Sequence, residues 1–181
     1  LWKVPIQLRY SIDGEVQTRK LVLDEDETVI TFDGNLDWIV GNGGGNGFYR
    51  TGYCDTSFGK LISNIASLDD VERYTLVSDT LAFVRSGQAD SAHFLDLVAG
   101  FGDETEHAIW SVIIGGLGTV EHHALEESVR PAFEEFVRNL AGPATARMGW
   151  DPGPGDSDLE RKLRGELIAA MGILGRDTGT I

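Results

Sequence analysis

The sequence predicts an α+β protein in two parts: an N-terminal antiparallel β-sandwich over residues 1–56 and a C-terminal α-helical array of HEAT-like, solenoid type over residues 57–181. Three observations lead there. Before residue 55, apolar and polar residues alternate and are interrupted by turn signals such as Asp13-Gly14 and Asp33-Gly34, the period-2 pattern of half-buried strands. From residue 57 onward, apolar residues recur at steps of three and four, the helical period. Between the two lies Gly41–Gly47, in which five of seven residues are glycine and the other two asparagine, the types that reach positive φ at least expense.

Taken in order, Val4, Ile6 and Leu8 alternate with Pro5, Gln7 and Arg9, and Pro5 places this strand at an edge or has it just starting. Asp13-Gly14 is a hairpin turn signal, and Arg19–Leu23 is the return strand with Leu21 and Leu23 on one face. The acidic run Asp24–Glu27 is a solvated turn. Val29–Phe32 and Trp38–Val40 read as two more strands. Phe48–Tyr53 alternates again, so the glycine-rich stretch reads as a hairpin turn that closes the β part.

The helical part opens with Phe58, Leu61, Ile62 and Ile65 on one face. A second helix, capped by Ser67 or Asp69, carries Val71, Tyr74, Val77, Leu81 and Val84 and stops at Gly87. A third opens at Asp90-Ser91 and ends at Gly100, and a fourth covers Thr105–Leu117. Glu121–Leu140 is either one helix kinked at Pro131 or two, with Pro131 in a first-turn position, broken at Gly142-Pro143. After the loop at Asp151–Asp156, Leu159–Met171 is the last helix. Short connections between these helices suggest antiparallel pairs in a repeat array.

Charge and composition bound the function classes. Twenty-nine acidic against fifteen basic residues leave a formal charge of −14, which argues against bulk attraction to nucleic acid or anionic membranes. No apolar run approaches the ~20 residues of a membrane span. A single cysteine permits no internal disulfide and suits a reducing compartment, so the expected location is cytoplasmic. The first residues carry neither an initiator Met nor a signal region, and the expectation is that of an excised piece whose helical array continues beyond Ile181.

Several groups deserve a chemical reading. His122 and His123 with Glu126 and Glu127 offer an i, i+4 pair of metal ligands. A closed zinc site needs more, so they read as an acidic surface helix. Cys54 has no local nucleophile signature and reads as an inert strand-end thiol. The glycine-rich turn lacks the Gly-Lys-Ser/Thr register and an ensuing helix, so it does not read as a phosphate cradle. Arg50 reads as the partner of an acidic residue that locks the two parts, with ligand binding as the alternative. Trp110 and Trp150 sit among apolar helical residues and read as core.

Four segments in chain order resemble the region downstream of the catalytic domain in the M1 zinc aminopeptidases, the aminopeptidase N family. Trp2-Lys3-Val4-Pro5-Ile6 is similar to the Trp-x-x-Pro-apolar strand of its small β-sandwich domain. Trp38-Ile39 and Asn42, then Gly47-Phe48-Tyr49-Arg50 and Tyr53, resemble the pattern Asn…Gly-Tyr-Tyr-Arg-Val-x-Tyr, with Thr51 where valine is usual. Glu72-Arg73 with Leu76 and Asp79 resembles Asp-Arg-x-x-Leu-x-x-Asp in the helix that opens the C-terminal helical domain. Gly149-Trp150 with Leu163-Arg164 is similar to Leu-Gly-Trp…Leu-Arg.

The resemblance implies a parent enzyme that removes N-terminal residues from peptides with a zinc-activated water. Neither His-Glu-x-x-His nor Gly-Ala-Met-Glu-Asn occurs here, so no catalytic, cofactor-binding or metal residue is assigned to this chain. Zinc is expected in the catalytic domain of the parent, which is also the expected partner, along with the peptide substrate. The implied role is non-catalytic: supporting and enclosing the active-site chamber. The alternative is a free-standing helical-repeat binding or scaffold module, and a metal-dependent enzyme built on His122 and His123 is a remote third.

Overall fold

A computed structural model describes residues 2–180. It is α+β, with three strands followed by six α-helices. The chain divides into two compact units, one up to Asp79 and one from Thr80 onward.

In the first unit, β1 (Val4–Ile12), β2 (Glu15–Leu23) and β3 (Leu36–Val40) form one antiparallel sheet in the order β2-β1-β3. Asp13 and Gly14 both have positive φ, 49° and 82°. Two such residues between Ile12 and Glu15, which face each other, make the tight turn that matches strand twist. β3 pairs only with Arg9–Ile12, so Pro5 lies at the start of β1 where β3 demands no N–H from it. Leu8, Tyr10 and Ile12 are buried and pack with Ile30, Phe32 and Leu36.

Two expected strands are not formed. Residues 29–32 run without strand pairing, because Ile30 and Phe32 pack against the face of β1 instead of extending an edge of the sheet. Their side chains still serve the core, with the rings of Phe32 and Tyr10 4.6 Å apart. Residues 48–53 make no ladder either, so the glycine-rich stretch closes no hairpin. Gly43–Gly45 is a 3₁₀ turn instead. Among the described residues the β part is a single sheet. The unit continues with α1 (Asp55–Ser63), which buries Phe58 and Leu61, and with the first part of α2 (Asp70–Arg85), within which the division falls.

The second unit holds α3 (Ser91–Val98), α4 (His107–His123), α5 (Arg130–Met148) and α6 (Asp158–Ala169). Its core is Phe94, Leu97, Ile109, Trp110, Ile113, Leu117, Val137 and Leu167, each at most 1% exposed. Asp90 caps α3 by accepting from the His93 N–H. Ser157 and Glu160 form a reciprocal capping box at the start of α6. α5 settles the open choice around Pro131: the helix starts at Arg130 with the proline in its first turn, where no N–H is needed. The expected break at Gly142-Pro143 is absent, since α5 runs through Pro143 to Met148. The ring's disruption is offset by burial of Leu140, Ala141 and Ala144 around it. A π-helical turn, Ala170–Leu174, ends α6. Trp150 is 57% exposed and is not core, because it follows Gly149, whose φ of 66° ends α5 and turns the chain outward. The expected continuation of the array at Ile181 lies outside the described residues.

Candidate functional site

The polar groups of the first unit converge on two carboxylates of α2, Glu72 and Asp79. They lie seven residues apart, two turns along one helix face, with Leu76 between them. Glu72 is 1% exposed. Its carboxylate accepts from Arg9 Nη1 on β1, from the Gly44 N–H at 3.1 Å and from the Asp69 N–H at 3.2 Å. Asp69 returns the favour by accepting from the Glu72 N–H at 2.8 Å, a capping box at the start of α2. Arg9 is fixed further by Nη2 donating to the Ser67 carbonyl at 3.0 Å and by its guanidinium lying 5.1 Å from the Trp38 ring centre.

The glycine-rich turn is built to meet these groups. A Cβ on Gly43 would come within 3.0 Å of the Arg9 side chain, and one on Gly45, at φ 65°, within 2.4 Å of Val71. Asn42, 4% exposed, closes the loop with both side-chain groups: Oδ1 accepts from the Gly47 N–H at 2.7 Å and Nδ2 donates to the Gly47 carbonyl at 3.0 Å. The loop's amide is thus already satisfied by an internal anion, the Glu72 carboxylate, so this turn does not cradle a phosphate.

Residues 48–53 keep the expected alternation without a strand partner. Tyr49, Thr51 and Tyr53 point inward, while Phe48 is fully exposed. The Tyr49 hydroxyl donates to the Gly41 carbonyl and the Tyr53 hydroxyl accepts from the Gly41 N–H, each at 3.0 Å. Burial pushes the Tyr53 hydroxyl up to about 12. Asp79 accepts from the Thr51 N–H at 2.8 Å and from Arg50 Nη1 at 3.0 Å. Burial raises its pKa, opposed by those two partners. Arg50 is therefore an ion-pair residue, as its position predicts.

In the second unit, Arg164, 7% exposed, ties the loop before α6. Its Nη2 pairs with Asp156 Oδ2 at 2.5 Å and its Nε donates to the Met148 carbonyl at 3.2 Å. Asp156 also accepts from the Gly153 N–H at 2.8 Å. Trp110 is buried and donates from Nε1 to the Glu104 carbonyl at 3.0 Å.

The remaining candidates do not assemble a centre. α4 ends at His123, so Glu126 and Glu127 are not one helical turn from His122 and His123, and the expected i, i+4 pairing is not realised. The two imidazoles stack edge to face, 4.6 Å apart. Cys54 is not at a strand end; it is exposed and is the residue before α1. Ser57 lowers its pKa through its hydroxyl and its N–H. Among the described residues no three His, Cys, Asp or Glu side chains are grouped to hold a metal ion, and no step through zinc is derived for this chain. Reasoning from the sequence missed the Arg9–Glu72 pair. The spacing Asp69-x-x-Glu72 signals only the capping box and gives no sign of Arg9.

The family model described as the ERAP1-like C-terminal domain matches residues 38–181. Aminopeptidase M1 of Arabidopsis thaliana is 28% identical over 80% of this chain and 17% of its own length. Aminopeptidase M1-A of Oryza sativa subsp. japonica is 31% identical over 77% of this chain and 16% of its own. The puromycin-sensitive aminopeptidase of Caenorhabditis elegans is 24% identical over 96% of this chain and 19% of its own. The matched region thus spans less than a fifth of the length of each of these relatives. The chain belongs to the ERAP1-like C-terminal domain family, a domain it shares with the M1 aminopeptidases.

Proposed function

We propose that this chain is the non-catalytic C-terminal region of an M1 zinc aminopeptidase, an enzyme that takes N-terminal amino acids off peptides. In this reading residues 1–56 are the end of a β-sandwich domain and residues 57–181 the start of a HEAT-like helical array. Its partner is the catalytic domain of the same polypeptide, which holds the zinc and the peptide. This chain supports and encloses that domain's active-site chamber and is inactive alone. A cytoplasmic location accompanies the reading, supported by the exposed free thiol of Cys54; no helix among the described residues is long and apolar enough to cross a membrane.

The observation that carries the proposal is the family match over residues 38–181. It is supported by the use of Arg9, Arg50, Glu72, Asp79 and Arg164 on internal partners rather than at an open cleft. The test is to assay the purified chain with alanine and leucine 4-nitroanilides, alone and mixed with a catalytic fragment from the same gene that ends before Leu1. No turnover alone and raised turnover on mixing are expected. Turnover by the chain alone, abolished by a chelator, overturns the non-catalytic role; no gain on mixing overturns the supporting one.

A further inference from the structure

We propose that a groove in the second unit, lined by the end of α2, the start of α3 and the end of α4, binds a small aliphatic carboxylate with Arg85 as its counter-ion. The groove measures about 600 Å³, within the range of ligand-sized pockets. Val84 and Val120 are among its apolar walls, and Arg85, Ser91, Thr119 and His123 bring its polar groups. All of these residues lie beyond Thr80, inside one compact unit.

Charge complementarity selects the ligand. Acidic residues outnumber basic ones twenty-nine to fifteen, and Arg9, Arg50, Arg130 and Arg164 are each paired with a carboxylate. Among the described residues Arg85 is held instead by a hydroxyl. Its Nη2 donates to Thr119 Oγ1 at 2.8 Å, and that hydroxyl donates in turn to the Gly115 carbonyl at 2.9 Å. The bond ties the guanidinium to α4 and uses one of its five donors. The carboxylates that flank the groove residues in the chain have other tasks: Asp90 accepts from the His93 N–H at 2.8 Å, and Glu121 from Arg130 at 2.8 Å. Arg85 and His123 each occupy the last turn of a helix, where the helix dipole favours a basic residue. The dipole accounts for the residue types, but not for a cavity of this size that both of them line.

The remaining N–H groups of the guanidinium form a fork that suits the two oxygens of a carboxylate. The Ser91 hydroxyl and one imidazole nitrogen of His123, in either tautomer, add donors. The valine walls suit a short hydrocarbon chain. A carboxylate carries a single charge, which one arginine balances. Inorganic phosphate is a poorer occupant: it brings up to two charges into a chain of net charge −14 and has no apolar part to meet the valines.

The experiment titrates the ¹⁵N-labelled chain with sodium hexanoate at fixed ionic strength, with hexanamide and inorganic phosphate as controls, and follows the backbone amide shifts. Hexanoate is expected to give saturable shifts at Ser91, Thr119 and His123, with a Kd about ten-fold below that of hexanamide, the effect of one charge-assisted contact. Arg85→Gln, at an exposed position, is expected to bring the two ligands to the same Kd. Ala89→Leu, which enlarges a side chain of the groove wall, is expected to weaken both. No saturable shift, equal affinity for hexanoate and hexanamide in the unsubstituted chain, or an unaltered preference in Arg85→Gln overturns the proposal. Undiminished binding in Ala89→Leu puts the ligand outside the groove and overturns it as well, as does phosphate that displaces hexanoate at equal concentration.

Discussion

Glu72→Gln isolates the carboxylate on which the first unit's polar groups converge. The substitution keeps the volume but replaces one acceptor oxygen with an NH₂ group. Three donors now reach the carboxylate: Arg9 Nη1, the Gly44 N–H and the Asp69 N–H. In the variant at least one of them faces another donor inside a site that is 1% exposed. Removing one partner of a buried pair destabilises by about 3–5 kcal/mol. Arg9 keeps the Ser67 carbonyl and a 23% exposed side chain, which places the loss at the lower end, about 3 kcal/mol. If the whole chain melts in one transition, that lowers Tm by roughly 6–12 °C. Differential scanning calorimetry and urea unfolding of the variant measure it directly. Arg50→Ala is the contrast, because its side chain is 55% exposed and such a pair contributes about 0.2–1 kcal/mol. A Glu72→Gln variant within 0.5 kcal/mol of the parent, or no coupling between Glu72→Gln and Arg9→Met in a double-mutant cycle, refutes the reasoning.

Three other outcomes follow from the same geometry. Tyr53 is an acid whose folded pKa, about 12, lies above its unfolded value of ~10. Its contribution is therefore complete below pH 10 and lost between pH 10 and 12, a fall of order 2–3 kcal/mol. The difference in urea stability between the chain and Tyr53→Phe, followed across that range, should contain this fall. Ser57 lowers the Cys54 pKa, so the pH midpoint of its alkylation by iodoacetamide should rise in Ser57→Ala; an unmoved midpoint removes Ser57 from the account. Gly45→Ala combines a left-handed backbone with a clash on Val71 at 2.4 Å, whereas Gly14 has a comparable φ and nothing within 4 Å. Gly14→Ala should lose about 1 kcal/mol and Gly45→Ala more, since overpacking adds roughly 1–3. Equal losses in chemical denaturation contradict the close approach.

Much of this fold is legible because local signals and tertiary demands agree. Asp13-Gly14 supplies the two positive-φ residues that its hairpin uses, Asp90 caps where helical spacing begins, and Pro131 occupies a first-turn position. The misreadings arise where long-range contacts decide. The alternation at Phe48–Tyr53 is real, but alternation reports which side chains are buried, not where the backbone bonds go. The Thr51 N–H finds Asp79 Oδ2 and not a strand carbonyl. Ile30 and Phe32 likewise reach the core without joining the sheet. Gly142-Pro143 carries the strongest local breaker, and packing of the residues around it holds α5 together. Trp150 is apolar in type yet exposed, since the reversal at Gly149 and not hydropathy determines its surroundings. The Arg9–Glu72 pair links positions 63 residues apart in the chain, a separation that no window of sequence reveals.

Several of the residues through which the sequence resembles the aminopeptidases share one physical task. Asn42 holds the Gly47 peptide, Tyr49 and Tyr53 hold the Gly41 peptide, and Glu72 and Asp79 hold the amides of Gly44 and Thr51. Arg164 holds the Met148 carbonyl beside the loop of Asp156. Each satisfies backbone where no helix or sheet does so, and an unpaired buried backbone group costs as much as a lost hydrogen bond. A side chain in that position is as strictly specified as a catalytic one, because few others have its length and its donors or acceptors. Two irregular segments, the glycine-rich turn and the loop before α6, therefore demand particular residues on structural grounds. That is why this chain can be placed in the ERAP1-like C-terminal domain family by sequence, and why Glu72→Gln, Tyr53→Phe and Gly45→Ala are expected to act on its stability.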